Sequence, residues 1–224
     1  PVARITGSSG SERAMIRVSA QECHLPIEAA PEADQLIVRV DHPRVDPSPW
    51  AFGVMHRGTR PGVFEQSGLR IEGSANTAFG TVIFSAKRVA RQTSSDMNSI
   101  GDAFSIWHEN HPLAEPVRIT LPVPPGTDLS RVHVYRHVGG WSRQDTERSA
   151  SGLTIETRRL GLFQAFEDRH APYLNVTSPP PNYHAQTKRP ILTARVADAH
   201  SGVNGFGATA NGEWSLVAYD PEHG

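Results

Sequence analysis

The sequence predicts an all-β protein built from antiparallel β-sandwiches in tandem. Apolar and polar residues alternate with a period of two in many short segments, which is the pattern of half-buried strands. The 224 residues include 19 glycines and 18 prolines, which are spread along the chain and mark turns between these segments. The best helical candidate, residues 84–92, is short and starts inside a strand-like run.

The alternation defines eight predicted strands that are enriched in β-branched residues. Segments rich in Gly, Pro, Ser and Asp separate them, and this spacing of short strands and turns is typical of a sandwich or barrel. The predicted strands are residues 14–20, 35–40, 80–86, 117–123, 131–136, 153–157, 173–176 and 191–196. The predicted turns lie at residues 7–10, 46–49, 124–126, 139–140 and 201–202.

A polar link at residues 167–172, which ends in Pro172, divides the chain into two predicted modules, residues 1–170 and 171–224. An acidic, alanine-rich stretch at residues 28–34 marks a possible sub-boundary in the first module. The second module has room for only about four strands, whereas a sandwich takes roughly seven. We therefore expect the native protein to continue past Gly224 and to cover the open strand edges of this module.

Composition argues against two classes of partner. There are 22 Lys and Arg against 23 Asp and Glu, which gives a net charge of -1 and no basic stripe for nucleic acid. No apolar run is long enough to cross a bilayer, so we predict no membrane insertion. Cys23 is the single cysteine, so neither an internal disulfide nor a Cys-based zinc site is expected. No signal peptide is visible in residues 1–10, and the chain reads as an internal or processed fragment.

Residues 172–203 read Pro-Tyr-Leu-Asn-Val-Thr-Ser-Pro-Pro-Pro, then Arg-Pro-Ile-Leu-Thr-Ala-Arg-Val-Ala-Asp-Ala-His-Ser-Gly-Val. This order of strand, Ser-Pro turn, strand and Asp-x-x-Ser-Gly loop resembles the opening of bacterial immunoglobulin-like domains, which are common in exported proteins. In that loop, the carboxylate of Asp198 is expected to accept backbone N–H bonds within its own turn. Gly202 is expected to adopt a positive φ.

Residues 100–168 contain Glu115-Pro-Val-Arg-Ile-Thr-Leu-Pro, then Val132-His-Val-Tyr-Arg-His-Val-Gly-Gly-Trp, then Gly161-Leu-Phe-Gln-Ala-Phe-Glu-Asp. This order is similar to the β-sandwich shared by zonula occludens proteins and netrin receptors, in its bacterial exported forms. The resemblance implies a Val-Tyr-Arg to Gly-Gly-x-Trp hairpin and a closing strand just before an immunoglobulin-like module. It therefore bears on architecture more than on activity.

Two groups of residues have metal-ligating chemistry. His108 and His111 could share one face of a helix, but on a strand positions three apart point to opposite faces, and Trp107 and Pro112 favour a polar loop. Asp198, Asp220 and Glu222 carry oxygen ligands suited to calcium but lack the spacing of a dedicated loop. We predict a structural turn at Asp198 and no metal site.

The remaining candidates have stronger structural than chemical interpretations. Gly7-Ser-Ser-Gly10 only superficially resembles a hydrolase nucleophile elbow, and Cys23 beside His24 is better interpreted as a small buried thiol. Phe84-Ser85 matches the self-cleavage bond of some netrin-receptor-type sandwiches, but residue 83 is Ile where those relatives have the histidine base. Sugar stacking would need exposed, coplanar rings. The candidates for that platform are Trp50, Phe52, Trp107, Trp141 and Trp214.

We therefore predict no catalytic residues, no metal ligands and no cofactor. The predicted function is a non-catalytic structural or spacer module of a large exported or cell-surface bacterial protein, with the periplasm as a further location. Its expected partners are neighbouring domains of the same longer chain or adjacent subunits. The alternative is a glycan- or protein-binding accessory module attached to a secreted enzyme such as a cell-wall peptidase. A hydrolase or metalloenzyme would need polar groups that converge in one pocket.

Overall fold

The computed structural model confirms the all-β prediction. It describes residues 2–6, 11–14, 16–17, 23–24, 35–41, 50–58, 61–107, 109, 111–150, 152–180, 182–184, 186–187, 191–198, 200, 202–203 and 205–218. Every regular element in these ranges is a strand. Within them, no helix is long and apolar enough to cross a membrane. Residues 84–92, the best helical candidate, contribute most of their length to a strand.

The strands match the predicted segments closely where alternation was clear, as at residues 35–40, 117–123 and 153–157. In chain order they are β1 (Val2–Thr6), β2 (Ser11–Ala14), β3 (Ile16–Arg17), β4 (Cys23–His24), β5 (Gln35–Asp41), β6 (Trp50–Met55), β7 (Gly62–Gln66), β8 (Leu69–Gly73), β9 (Val82–Val89), β10 (Met97–Trp107), β11 (Val117–Leu121), β12 (Val132–His137), β13 (Trp141–Arg143), β14 (Thr146–Ser149), β15 (Gly152–Thr157), β16 (Gly161–Asp168), β17 (Tyr173–Ser178), β18 (Thr193–Ala197), β19 (Ala208–Ala210) and β20 (Glu213–Ser215).

Two antiparallel sheets enclose the main core. The nine-stranded sheet has the order β13-β12-β16-β10-β9-β6-β5-β1-β2, and the five-stranded sheet has the order β14-β15-β11-β8-β7. Buried side chains from both sheets form one cluster, with Phe84 and Phe163 from the larger sheet against Ile71 and Ile119 from the smaller. The period of two persists in β8, where Leu69 and Ile71 are buried and Arg70 is exposed. The sandwich is therefore held together by the inward half of each alternating strand.

The hairpin β7–β8 lies outside the strands that the alternation predicted. Its two turn residues, Ser67 and Gly68, have φ values of 53° and 84°. Consecutive positive φ values define the type I′ turn, whose twist matches that of a two-stranded hairpin. The Ser-Gly pair between two short alternating runs was the available signal, although it is weaker than Asn-Gly.

The first strands belong to the larger sheet. β1 pairs with both β2 and β5, which links residues before 28–34 to the strand that follows them. Within the predicted strand at residues 14–20, Ala14 ends β2, and Ile16 and Arg17 form β3, which pairs with β4. The domain boundaries, including the sub-boundary at 28–34, stay predictions.

After Asp168 the strands form two small sheets. β17 pairs with β18, and β19 pairs with β20. Asn211 and Gly212, with φ values of 53° and 86°, form the tight turn of the second hairpin. None of the described residues from 171 onward is buried. These two hairpins, residues 173–218, are referred to below as the C-terminal region.

Candidate functional site

The predicted turn at Asp198 is present. Its carboxylate oxygen Oδ1 accepts hydrogen bonds from the backbone N–H groups of His200, at 2.9 Å, and Gly202, at 2.8 Å. Gly202 has a φ of 78°, as expected for the positive-φ position of this loop. The carboxylate therefore satisfies two backbone donors and holds the chain in a compact turn.

We expect Asp198→Ala to cost about 1 kcal/mol or more of local stability, because two backbone donors lose their acceptor. Asp198→Asn is the matched control, since its amide oxygen can accept the same bonds. Amide hydrogen exchange at His200 and Gly202 measures the effect directly. Equal exchange rates in the alanine variant and the parent would contradict this account of the turn.

The predicted metal-like residues fall only partly within the described part of the chain. Asp220 and Glu222 lie outside the described residues, as does His108. His111 is described, is half-buried and has an interaction partner. Among the described residues, no group of three or more His, Cys, Asp or Glu side chains is arranged to hold a metal ion.

The aromatic candidates do not share one environment. Trp214 on β20 is 74% exposed and Trp107 at the end of β10 is 53% exposed. Trp141 is half-buried and packs edge-on against Phe166, with ring centroids 4.6 Å apart. Phe52 is half-buried beside a small core cluster, and the side chain of Trp50 lies outside the described residues.

Three further sequence candidates occupy ordinary strands or fall outside the described residues. Phe84 and Ser85 lie in the middle of β9, where Phe84 belongs to the core and Ser85 pairs with Trp107. Cys23 and His24 form β4, paired with β3 through the backbone. Residues 7–10 are outside the described part of the chain.

The outer face of the five-stranded sheet forms an open groove of about 630 Å³. Arginines and carboxylates alternate across its strands. Arg70 donates to Glu65 and, at 2.7 Å, to Glu72, and this bond lowers the pKa of the Glu72 carboxyl. Arg118 donates to Glu147 at 3.0 Å. The guanidinium groups are therefore already paired with carboxylates, which is typical of a solvated sheet face.

The outer face of the nine-stranded sheet carries a second, smaller cluster. Met97, Tyr135 and Phe166 are buried there, and Trp141 packs against them. The hydroxyl of Tyr135 has no hydrogen-bond partner among the described residues. Burial and, secondarily, the negative charge of Asp168 raise the pKa of Tyr135 to about 12. The alternation of β12 predicts one buried face, whereas the structure buries both faces, so this cluster was not predicted from the sequence.

His133 lies on the same outer face, 9% exposed. Arg148 donates from Nη2 to its Nε2 at 2.9 Å. Burial, together with the positive charges of Arg143 and Arg148, lowers the pKa of His133 to about 4. The imidazole is therefore neutral in the folded protein at physiological pH and acts as an acceptor for arginine.

This depressed pKa predicts a loss of stability in mild acid. The unfolded chain binds a proton on His133 near pH 6.5 and the native protein only near pH 4, so the free energy of unfolding falls as pH drops through that window. The stability that depends on a neutral His133 is fully present above pH 6.5 and is on the order of 2 kcal/mol. Denaturant unfolding between about pH 7 and pH 5 measures it above the range where carboxylates titrate.

His133→Gln is expected to flatten this pH slope, because glutamine does not titrate. His137→Gln on the same strand is the matched control, since His137 is exposed. An unchanged slope in His133→Gln would show that the imidazole does not carry the effect.

The contacts in the groove, the outer cluster and the Asp198 turn account for core packing and solvated surface more directly than for a chemical reaction. The groove of the smaller sheet pairs its own charges, and the outer cluster of the larger sheet buries its aromatic rings against neighbouring parts of the chain. The carboxylate of Asp198 accepts backbone hydrogen bonds and stabilises its own turn. No family model matches the chain, and no curated protein is detectably similar to it.

Proposed function

We propose that the chain is a non-catalytic structural module of a larger exported bacterial protein, and that neighbouring domains or adjacent subunits cover its C-terminal region. One observation carries this proposal. Among the side chains that the structure describes, fifteen large hydrophobic ones are exposed, and eleven of these lie in the C-terminal region. They include Leu174, Ile191, Trp214 and Leu216.

A two-stranded sheet with apolar residues in water is marginal by itself, because it buries too little surface to offset the entropy of ordering its chain. Strand β17 is exposed along its whole length, and each of the two small sheets has two strands. A concentration of exposed apolar side chains of this kind is a feature of interaction sites. Further strands or a partner surface would complete the layer, as in the immunoglobulin-like modules that this segment resembles.

Sedimentation of the isolated chain at increasing concentration tests the proposal. We expect the chain to self-associate, and we expect this association to weaken when Leu216→Ser reduces the exposed apolar surface. Val138→Ser is the matched control, because Val138 is also exposed but lies in the β12–β13 hairpin of the sandwich. Limited proteolysis is expected to cut the C-terminal region before the sandwich. A chain that stays monomeric and resists cleavage throughout would contradict the proposal.

A second candidate function is glycan binding, and the exposure of Trp214 and Trp107 favours it. An indole ring open to solvent can stack on the apolar face of a sugar. Titration of the chain with bacterial cell-wall oligosaccharides tests this function. Saturable binding that Trp214→Ala abolishes and Trp141→Ala leaves in place would favour the glycan-binding role over the structural one.

A further inference from the structure

A short segment of the C-terminal region contacts the sandwich. Pro179 and Ser215 apart, the partly buried described residues of this region fall between 194 and 200. They are Ala194, Val196, Ala197, Asp198 and His200. The Asp198 turn, which includes His200 and Gly202, lies at the end of this segment and contacts the sandwich.

The sandwich supplies a receiving surface for this turn. Nε2 of His200 lies 4.0 Å from Oδ2 of Asp96, in the segment just before β10. The ring of His200 is also 6.3 Å from the ring of His170, centroid to centroid. On the other side, Gly202 packs so closely that a Cβ there would lie 2.9 Å from Nη1 of Arg143. The turn is therefore approached from three points, namely Arg143 in β13 of the nine-stranded sheet, Asp96 just before β10 and His170 just after β16.

The receiving surface contains a turn of the same design. Oδ1 of Asp168 accepts the backbone N–H of His170 at 2.9 Å, as Oδ1 of Asp198 does for His200. Asp168 is 2% exposed, so this turn is anchored in the sandwich. Each Asp-x-His turn fixes the backbone that carries its imidazole, and the two imidazoles lie near each other at a tilt of 55°.

We propose that the Asp198 turn is a docking element that holds the C-terminal region in one orientation on the outer face of the nine-stranded sheet, with Asp96, Arg143 and His170 as its receiving residues. Linked modules otherwise move relative to one another by default, unless their interface is extensive. Here the short link after Asp168 and the docked turn give two points of attachment. Two points constrain the orientation far more than the link alone.

Distance measurement between two spin labels tests the inference on the isolated chain, independently of the proposed function. The labels go on Arg158→Cys in the sandwich and Asn175→Cys in β17, both exposed, in a Cys23→Ser background. We expect one narrow distance distribution. His200→Glu should abolish it, because a carboxylate then faces Asp96, whereas His184→Glu, at an exposed position of the C-terminal region, should preserve it.

A charge swap separates docking from damage to the turn. Adding Asp96→Lys to His200→Glu places opposite charges at these two positions and should restore the narrow distribution. A broad distribution in the parent, or a narrow one in His200→Glu, would overturn the inference. So would a broadening that Asp96→Lys fails to reverse, because the effect would then belong to the turn alone. Circular dichroism of each variant verifies that the sandwich remains folded.

Discussion

Gly152→Ala is expected to destabilise the sandwich by about 3 kcal/mol or more, because it combines backbone strain with a steric clash. Gly152 opens β15 with a φ of 138°, a region that side-chain-bearing residues rarely adopt. A Cβ at this position would also lie 2.3 Å from the carbonyl oxygen of Leu121 on the neighbouring strand. Because that atom belongs to backbone, relief requires a shift of β11.

Substitutions at two other glycines distinguish the effect of backbone strain from that of the steric clash. Gly126 has a φ of 77°, but a Cβ added there would meet nothing within 4 Å, so Gly126→Ala reports strain alone. Gly80 has neither feature, and Gly80→Ala should change stability by less than about 0.5 kcal/mol. Free energies of unfolding should rank Gly152→Ala well above Gly126→Ala, and Gly126→Ala above Gly80→Ala. Equal values for the first two would exclude the clash with β11.

Phe84→Ala is expected to cost about 3–5 kcal/mol, the range for deleting an aromatic ring from a packed core. Phe84 is fully enclosed between the sheets, and its ring meets that of Phe64 edge-on with centroids 5.3 Å apart. Phe79→Ala is the matched control, because Phe79 is exposed and its truncation should cost less than about 0.5 kcal/mol. Similar losses for the two variants in denaturant unfolding would place Phe84 outside the core.

Gly53 on β6 provides an independent test of the same contact. A Cβ on Gly53 would lie 2.3 Å from Cζ of Phe84, so Gly53→Ala should also be destabilising. Phe84→Leu removes the outer part of the ring, so the double variant should lose less stability than the two single losses summed. Strict additivity would show that the two residues do not compete for this space.

The sequence predicted the fold class because the main signal is local. Where a strand has one face in the core and one in water, as β11 does with Ile119 inward and Arg118 outward, period-two alternation identifies it. The pairing order is not local. β16 closes the sandwich in sequence but lies between β12 and β10 in space, and no periodicity within β16 encodes those neighbours.

The candidate site was likewise predictable where its signal is local and not where it depends on distant parts of the chain. The Asp198 turn depends on a carboxylate and a glycine four residues apart, so the residues themselves indicated its geometry. The outer cluster depends on chain segments that cover β12 from outside, and the sequence of β12 does not reveal them. His133 and Tyr135 therefore alternate with valines as solvent-facing residues would, although the fold buries both.

The central position of β16 has a mechanical consequence. Its residues pair with β10 on one side and β12 on the other, and the chain leaves the sandwich directly from its end at Asp168. A pulling force applied beyond Asp168 along the strand would load both hydrogen-bonded ladders at once, in shear. A peripheral strand pulled in the same direction would load only one ladder. Under tension, the sandwich is therefore expected to hold at forces that have already extended the two small hairpins beyond it.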